Sequence, residues 1–554
     1  MLKEHPKGLL VAFFSNMGER FGFYTMMGIL VYFLQARYGL AADNAGLIYS
    51  IFYASIYGLA LVGGLIADRT RNYKGVINIG IITMFAGYIL MAVPRLGLPI
   101  TILGLFTIAF GNGLFKGNLQ AVVGQMYDHP KYSKLRDSAF TIFYMGINIG
   151  AFFAPSAAKA IRNWYLSING LGYNSGLPSL CHQYLDGTLV NPETFQQLAD
   201  AANGSPVADL SAFAERYINA FSTGFNLAFG IAAAAMLISL IVYRVWNKKL
   251  PDVRKEEEEA KRNGEPAVKV PQMSKEVEKQ RLIALGLVFL VVIFFWMSFH
   301  QNGLTMSLFA RDYTVQNVDA LSFMFFDIIA FLGVIGVIIG LVLLVRKNSA
   351  KVKSLAALLV AGCGYLSWVK YQAFDSSNTI EPELFQHFNP IFIVFLTPIV
   401  LAFFAFLRKR DMEPTTPKKI GIGMILAAVA FVLLLVGSLG LPSPSDLNQG
   451  PSPDRVSHFW LIGTYFIITI AELFLSPMGI SFVSKVAPPR LQGLAQGGWL
   501  AATALGNQLL FVGTVLWSRV ELWQVWGIFI LCCLASATFI FSVLKKLERA
   551  AASK

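Results

Sequence analysis

The chain has 554 residues, 55% of them hydrophobic and 14% charged, whereas ordinary soluble chains carry about 25% charged residues. That composition excludes a soluble globule and makes this an integral membrane protein, with the lipid bilayer as its first partner. The net charge of +13 requires no nucleic acid, because Lys and Arg collect in loops that stay cytoplasmic.

The first apolar run, about 8–35, can span a bilayer, which takes roughly 20 helical residues. At its centre it carries Asn16-Met17-Gly18-Glu19-Arg20-Phe21-Gly22-Phe23-Tyr24. A Glu and an Arg at that depth cost about 2.5–3.5 kcal/mol each, so they face protein or water and mark a functional site. Asn16, Arg20 and Tyr24 line one helical face, with Glu19 and Phe23 in the adjacent row. The run lacks a small-residue cleavage site, so no cleaved signal peptide is expected.

Apolar segments recur at about 44–67, 75–94, 98–125, 137–161 and 219–245, with an Asn-, Gly- and Ser-rich outer loop over 163–218. Residues 1–246 are thus expected to form an N-terminal six-helix bundle. A charged stretch over 247–281 reads as a cytoplasmic linker, since charge runs solvate. Residues 282–554 hold eight more segments, at about 282–310, 322–345, 352–371, 388–407, 419–440, 457–485, 491–517 and 522–545. Six of them complete a second bundle, and the pair over about 322–371 is read as an inserted hairpin facing lipid, with Asp327 near the outer interface. The expectation is an all-α fold of fourteen transmembrane helices.

Orientation follows from charge. With the N-terminus inside, the clusters Arg69/Arg71/Lys74, Lys131/Lys134/Arg136, Arg346/Lys347, Arg408/Lys409/Arg410 and Lys545/Lys546/Arg549 all fall on one side. The outer segments 163–215 and 371–387 contain no Lys or Arg. Both termini are therefore expected in the cytoplasm.

Three further stretches carry polar groups at membrane depth. Lys116, in Gly111-Asn112-Gly113-Leu114-Phe115-Lys116-Gly117-Asn118, requires a carboxylate partner, and Glu19 is the expected one. Tyr144 and Asn148 sit one turn apart and either bind a polar ligand or bridge helices. His300, within Phe295-Trp296-Met297-Ser298-Phe299-His300-Gln301-Asn302-Gly303, either titrates near neutral pH or is a satisfied buried imidazole. Glu472 is the one carboxylate of its segment, and Pro477 is expected to break the helix after it.

Other chemistries are set aside. Cys181, Cys363, Cys532 and Cys533 lack metal-ligand spacing. No phosphate-cradling Gly-Lys-Ser/Thr loop is present, so transport would be secondary rather than ATP-driven. No nucleophile–base constellation points to an enzyme, and no sensor domain points to a receptor.

Gly63-Gly64-Leu65-Ile66-Ala67-Asp68-Arg69 followed by Lys74 resembles the loop between helices two and three of the major facilitator superfamily, two six-helix bundles with the substrate between them. Glu19-Arg20-Phe21-x-x-Tyr24 is similar to the end of the helix-one motif of the proton-dependent oligopeptide transporter family. Phe143-Tyr144-x-x-Ile147-Asn148-Ile149-Gly150-Ala151 resembles that family's helix-five signature. Lys116, Phe295-Trp296 with Gln301, Glu472 with Ser476-Pro477, and Trp499 after Gly497-Gly498 extend the resemblance over both halves.

The resemblance implies a monomeric importer of di- and tripeptides that uses protons as the coupling ion and no other cofactor. Arg20 and Lys116 would hold the peptide carboxylate, with Tyr24 beside them, and Glu472, with Ser476, the amino group. Tyr57, Tyr144, Asn148 and Asn302 would hydrogen-bond the peptide backbone, while Trp296 and Trp499 shape side-chain pockets. Glu19, His300 and Glu472 would carry the proton. The departures are specific: Asn16 and His300 stand where the family has Glu, and Met27 where many bacterial members have Arg. They favour, as the alternative, a transporter of the same fold with altered or absent proton coupling, or one for another small zwitterion or anion. The family's bacterial members carry their extra helix pair between helices six and seven, whereas here it is expected between seven and eight.

Overall fold

A computed structural model describes residues 5–127, 131–132, 135–252, 274–346, 349–447, 451–488 and 491–552. The first half consists of α1 (Gly8–Tyr38), α2 (Ala42–Thr70), α3 (Tyr73–Ala92), α4 (Leu98–Met126), α5 (Arg136–Ile168), two short helices α6 (Leu177–Leu185) and α7 (Pro192–Asn203), and α8 (Leu210–Trp246). The two short helices occupy the outer loop. Most of the expected linker, residues 253–273, lies outside the described residues.

The second half opens with α9 (Lys275–Phe299) and α10 (Thr305–Asp312), which form one broken span joined by a 3-10 turn over His300–Gly303. Then come α11 (Ile328–Val345), α12 (Ala350–Ala373), α13 (Phe388–Arg408), α14 (Thr416–Gly437), α15 (His458–Val486), α16 (Gln492–Gln508), α17 (Phe511–Trp517), α18 (Leu522–Ser542) and the short α19 (Leu544–Ala552). Among the described residues, 12 helical segments are long and apolar enough to cross a membrane. The polar stripe of α1 and the charged ends of α5 dilute their hydropathy, but at 31 and 33 residues both are long enough to span. Fourteen spans result, matching the expected count.

Pro477 does not break its helix: α15 runs through it to Val486. Buried packing lets a membrane helix absorb the lost hydrogen bond. The break falls instead in the seventh span at His300, where Gln301 donates to the carbonyls of Met297 and Leu510, both at 3.1 Å, and Thr305 donates to Gln301. Gly303 is required there, because a Cβ would lie 2.2 Å from the Tyr49 hydroxyl.

Within the first half α1 packs on α5 and α8, α4 on α2 and α3; within the second, α14 packs on α15 and α18, and α9 on α16. Two seams join the halves. Along one, α2 meets α16 and α17; along the other, α5 meets α13 and the 3-10 turn Pro382–His387. The α2–α4 contact is close enough that a Cβ on Gly63 would lie 2.1 Å from the Gly113 carbonyl oxygen, which is the packing reason for that glycine.

The extra pair α11–α12 lies between the seventh and eighth spans and packs chiefly on itself. Gly333, Gly336 and Gly340 face Ser367, Cys363 and Val360, while Leu358 and Trp368 are exposed toward lipid. Asp327 caps α11, accepting from the backbone N–H groups of Ile329 and Ala330, and pairs with Lys370 at 3.1 Å. Residues 317–318 pair antiparallel with 378–379, so the inserted segment leaves and returns at one place.

Candidate functional site

The site is built where the polar stripe of α1 meets α2, α4 and the second half. Glu19 is bound to its neighbour rather than to Lys116. Arg20 Nε and Nη2 donate to its two carboxylate oxygens at 2.5 and 2.6 Å, and Asn112 Nδ2 adds a third bond at 2.5 Å. All three residues are at least 96% buried, so a charge-neutral pair with an amide donor satisfies the cost of the site. The guanidinium of Arg20 also lies 4.5 Å from the Phe23 ring centroid.

Lys116 makes no ion pair with the described residues. Its Nζ sits 3.8 Å from the centroid of Tyr57, a cation–π contact, with Arg20 and Glu19 in electrostatic reach. Arg20 in turn reaches Tyr24 and Tyr57. The same two tyrosines reach Glu472 across the gap between the halves. Tyr144 is 44% exposed on a helix that both halves touch, and its electrostatic neighbours are Tyr57 and Glu472. Asn148, one turn on, donates to the Tyr144 carbonyl at 3.1 Å. Arg20, Tyr24, Tyr57, Lys116, Tyr144 and Glu472 are thus linked in one electrostatic neighbourhood that spans both halves.

Residues that the sequence reading did not single out hold the second half's polar groups. Asn389, at the start of α13, donates Nδ2 to Glu472 Oε2 and to Thr469 Oγ1, both at 3.0 Å. His300 Nδ1 lies 2.5 Å from Asn507 Oδ1. The His300 ring is sandwiched between Trp296, 4.7 Å away and nearly parallel, and Tyr53, 4.5 Å away. Lys116 is the charged group acting on it. Asn389 could have been noticed as a polar residue opening an apolar run before Pro390; Asn507 carries no comparable signal.

The remaining expected residues are placed more peripherally. Trp296 and Trp499 are 8% and 5% exposed. The Trp499 ring packs so closely on α15 that a Cβ on Gly479 would lie 2.0 Å from it. Asn302 offers its carbonyl to the Tyr465 hydroxyl at 2.8 Å, leaving its half-buried amide available, and Ser476 is half-buried on the turn after Glu472.

The face opposite the termini is closed by polar contacts between the halves. Arg162 and Glu383 form a fully buried ion pair, Lys159 pairs with Glu381 at 2.7 Å, and Asn163 donates to Glu381 at 2.8 Å. Arg311 donates to Gln35 at 2.7 Å and Tyr32 to the Ser307 carbonyl at 2.8 Å.

The sequence profile described as "POT family" matches residues 74–261 and 368–522, more than half of the chain. The chain belongs to the POT family. It is 25% identical over 519 residues to the dipeptide and tripeptide permease A of Escherichia coli (strain K12), covering 91% of this chain and 83% of that protein. The permease of the same name from Klebsiella pneumoniae (strain 342) is 27% identical over 518 residues, covering 90% of this chain and 82% of that one. Among solved structures, a peptide transporter POT in complex with sulfate superposes with a TM-score of 0.65 at 22% identity, covering 99% and 96% of the two chains. A POT family transporter in complex with 5-aminolevulinic acid gives 0.66 at 19% identity, covering 98% and 97%. POT membership makes this chain a multi-pass transporter of the major facilitator fold, not an enzyme.

Proposed function

We propose that this chain imports di- and tripeptides by proton symport through alternating access. One juxtaposition carries the reading: Glu472 from one half and Arg20 from the other both act on Tyr24 and Tyr57, and Lys116 sits against Tyr57. A ligand with a negative and a positive end complements such a cavity, and the names of the permease relatives supply the ligand class. Arg20 and Lys116 hold the carboxylate, Lys116 being the cation without an ion-pair partner among the described residues. Glu472, presented by Asn389, holds the amino group together with Ser476. Tyr57, Tyr144, Asn148 and Asn302 bind the peptide backbone, and Trp296 and Trp499 bound the side-chain pockets. Protons, the coupling ion, bind through Glu19, His300 and Glu472. The chain acts as a monomer with both termini in the cytoplasm, so the sealed face is the outer one.

A second reading, favoured by the Glu19 carboxylate pairing with Arg20 and by His300 in place of a carboxylate, is a transporter of the same fold with altered or absent proton coupling, or one for another small zwitterion or anion. Uptake of a labelled dipeptide into proteoliposomes under an inward proton gradient separates the two. The expected result is accumulation that collapses with the gradient. Uptake indifferent to the gradient removes proton coupling, and no uptake or competition by any di- or tripeptide removes the peptide assignment.

A further inference from the structure

Among the closed outer contacts, and lined by the outer loop, lies a polar cavity of about 100 Å³, separate from the residues of the central site. Its walls come from the end of α1, from α5, α6, α8 and α10, and from the turn before α13. Two guanidiniums line it, Arg162 at 1% and Arg311 at 13% side-chain exposure. A guanidinium carries five N–H donors. Arg162 spends three, two on Asn163 and one on Glu383, and Arg311 spends three, two on Asp312 and one on Gln35. Among the described residues each therefore keeps two donors unspent beside the same space, and a donor left unmade in a buried site is costly.

The charges on the wall select the occupant. Arg162 is balanced by Glu383 and Arg311 by Asp312, and Asp186 adds a further carboxylate to the wall, so the cavity does not attract a bare anion by net charge; it offers directed donors to a planar acceptor. A carboxylate, with two oxygens and about four lone pairs, matches a guanidinium fork. The rings of Tyr173, Phe221 and Phe225 beside Arg162 add an apolar floor. The volume lies well below the roughly 300–1,000 Å³ of a complete ligand site, so it takes one end of a molecule.

We propose that this cavity is an outer docking site for the carboxylate end of the peptide, occupied before the halves part. This rests on the peptide reading above. The incoming carboxylate takes up the free donors of Arg162 and Arg311 and competes with Glu383 for Arg162. Because the Arg162–Glu383 pair holds α5 to the turn before α13, that exchange loosens the outer closure only when a substrate is present.

The test uses the full chain in proteoliposomes, comparing the wild type with Arg311→Lys, which keeps the charge but loses the fork, and Ser179→Phe. Ser179 lines the cavity from α6 and belongs to no ion pair, so Ser179→Phe fills the space and leaves the charges intact. Dipeptide KM is measured separately for uptake and for efflux. Both variants are expected to raise the uptake KM about tenfold, as loss of a charge-assisted bond does, with the efflux KM unchanged. An unchanged uptake KM in Ser179→Phe, or a rise in both directions together, overturns the proposal. Thermal stabilisation by N-acetylglycine, which has a carboxylate and no amino group, separates this idea from the function itself. If the wild type transports no peptide yet N-acetylglycine stabilises it and not Ser179→Phe, the carboxylate site stands and the peptide reading falls. If N-acetylglycine stabilises both equally or neither, the site falls.

Discussion

His300 donates its Nδ1 proton to Asn507 Oδ1 at 2.5 Å, because an amide oxygen can only accept. The ring's Nε2 is thereby left as its basic nitrogen, and the flanking Trp296 and Tyr53 rings fix its direction. In the proposed symport Nε2 is the atom that takes the proton.

Replacing Asn507 by Leu should then damage coupling more than binding. It strands the Nδ1 proton at a cost of about 1–3 kcal/mol and lets the ring change tautomer. Gradient-driven accumulation of a dipeptide should fall at least about tenfold, while exchange of peptide across the membrane with no gradient persists. The same split is expected for His300→Gln. Equal loss in both assays would assign His300 and Asn507 to the fold.

Glu472→Gln should weaken binding of dipeptides with a free amino group by about 10- to 100-fold, the range of a charge-assisted hydrogen bond. N-acetylated dipeptides should bind variant and wild type alike. Asn389→Ala, which removes the donor that holds Glu472 Oε2, should give a smaller loss of the same kind. Calorimetric titration with the two peptide forms reads both.

Some of this site is legible in the chain and some is not. The fourteen spans, the α11–α12 hairpin after the seventh span and the gathering of Arg20, Lys116 and Glu472 follow from apolar run lengths and from charges placed where lipid forbids them. The partner of Glu19 does not. Adjacent helical residues point in different directions, so a search for a partner passes over Arg20 and reaches Lys116, whereas the long Arg20 side chain folds back on its neighbour. The Arg162–Glu383 closure is also hidden: its members lie 221 positions apart, and each looks like an isolated charge at a helix end or in a loop.

Glu383→Gln should shift the protein toward the form open at the face opposite the termini. Removing one partner of a buried pair leaves the other uncompensated, at about 3–5 kcal/mol, and here moving α5 away from α13 relieves it. Spin labels on the outer ends of α5 and α13 should report a longer distance in the variant. An unchanged distance with a lowered melting temperature would make the pair a structural element alone.

On the terminal face, Glu413 accepts from Arg408 at 2.5 and 3.0 Å and from Lys419 at 2.6 Å. Hydrogen bonds from Arg408 and then Lys419 hold its carboxyl down at about 2, against an ordinary value of 4.5. A carboxyl lowered on folding stabilises above its unfolded value and loses that contribution as pH falls from about 4.5 toward about 2. Solvent screening keeps the contribution to about 0.5–1 kcal/mol. Melting curves of Glu413→Gln and the wild type should therefore differ at pH 6 and converge as the pH falls through that window; a constant difference would assign the effect to packing.

The short antiparallel pairing of Asn317–Val318 with Asn378–Thr379 ties together the two ends of everything between them. Whatever is spliced at that knot starts and finishes at the same point on the same side of the bilayer, so neighbouring spans neither move nor invert. The α11–α12 pair is in this sense a cassette. A soluble domain could be carried as a handle between the two helices, far from the knot, because the near end is tied in: Phe326 and Phe331 pack on His387, Phe388 and Phe152.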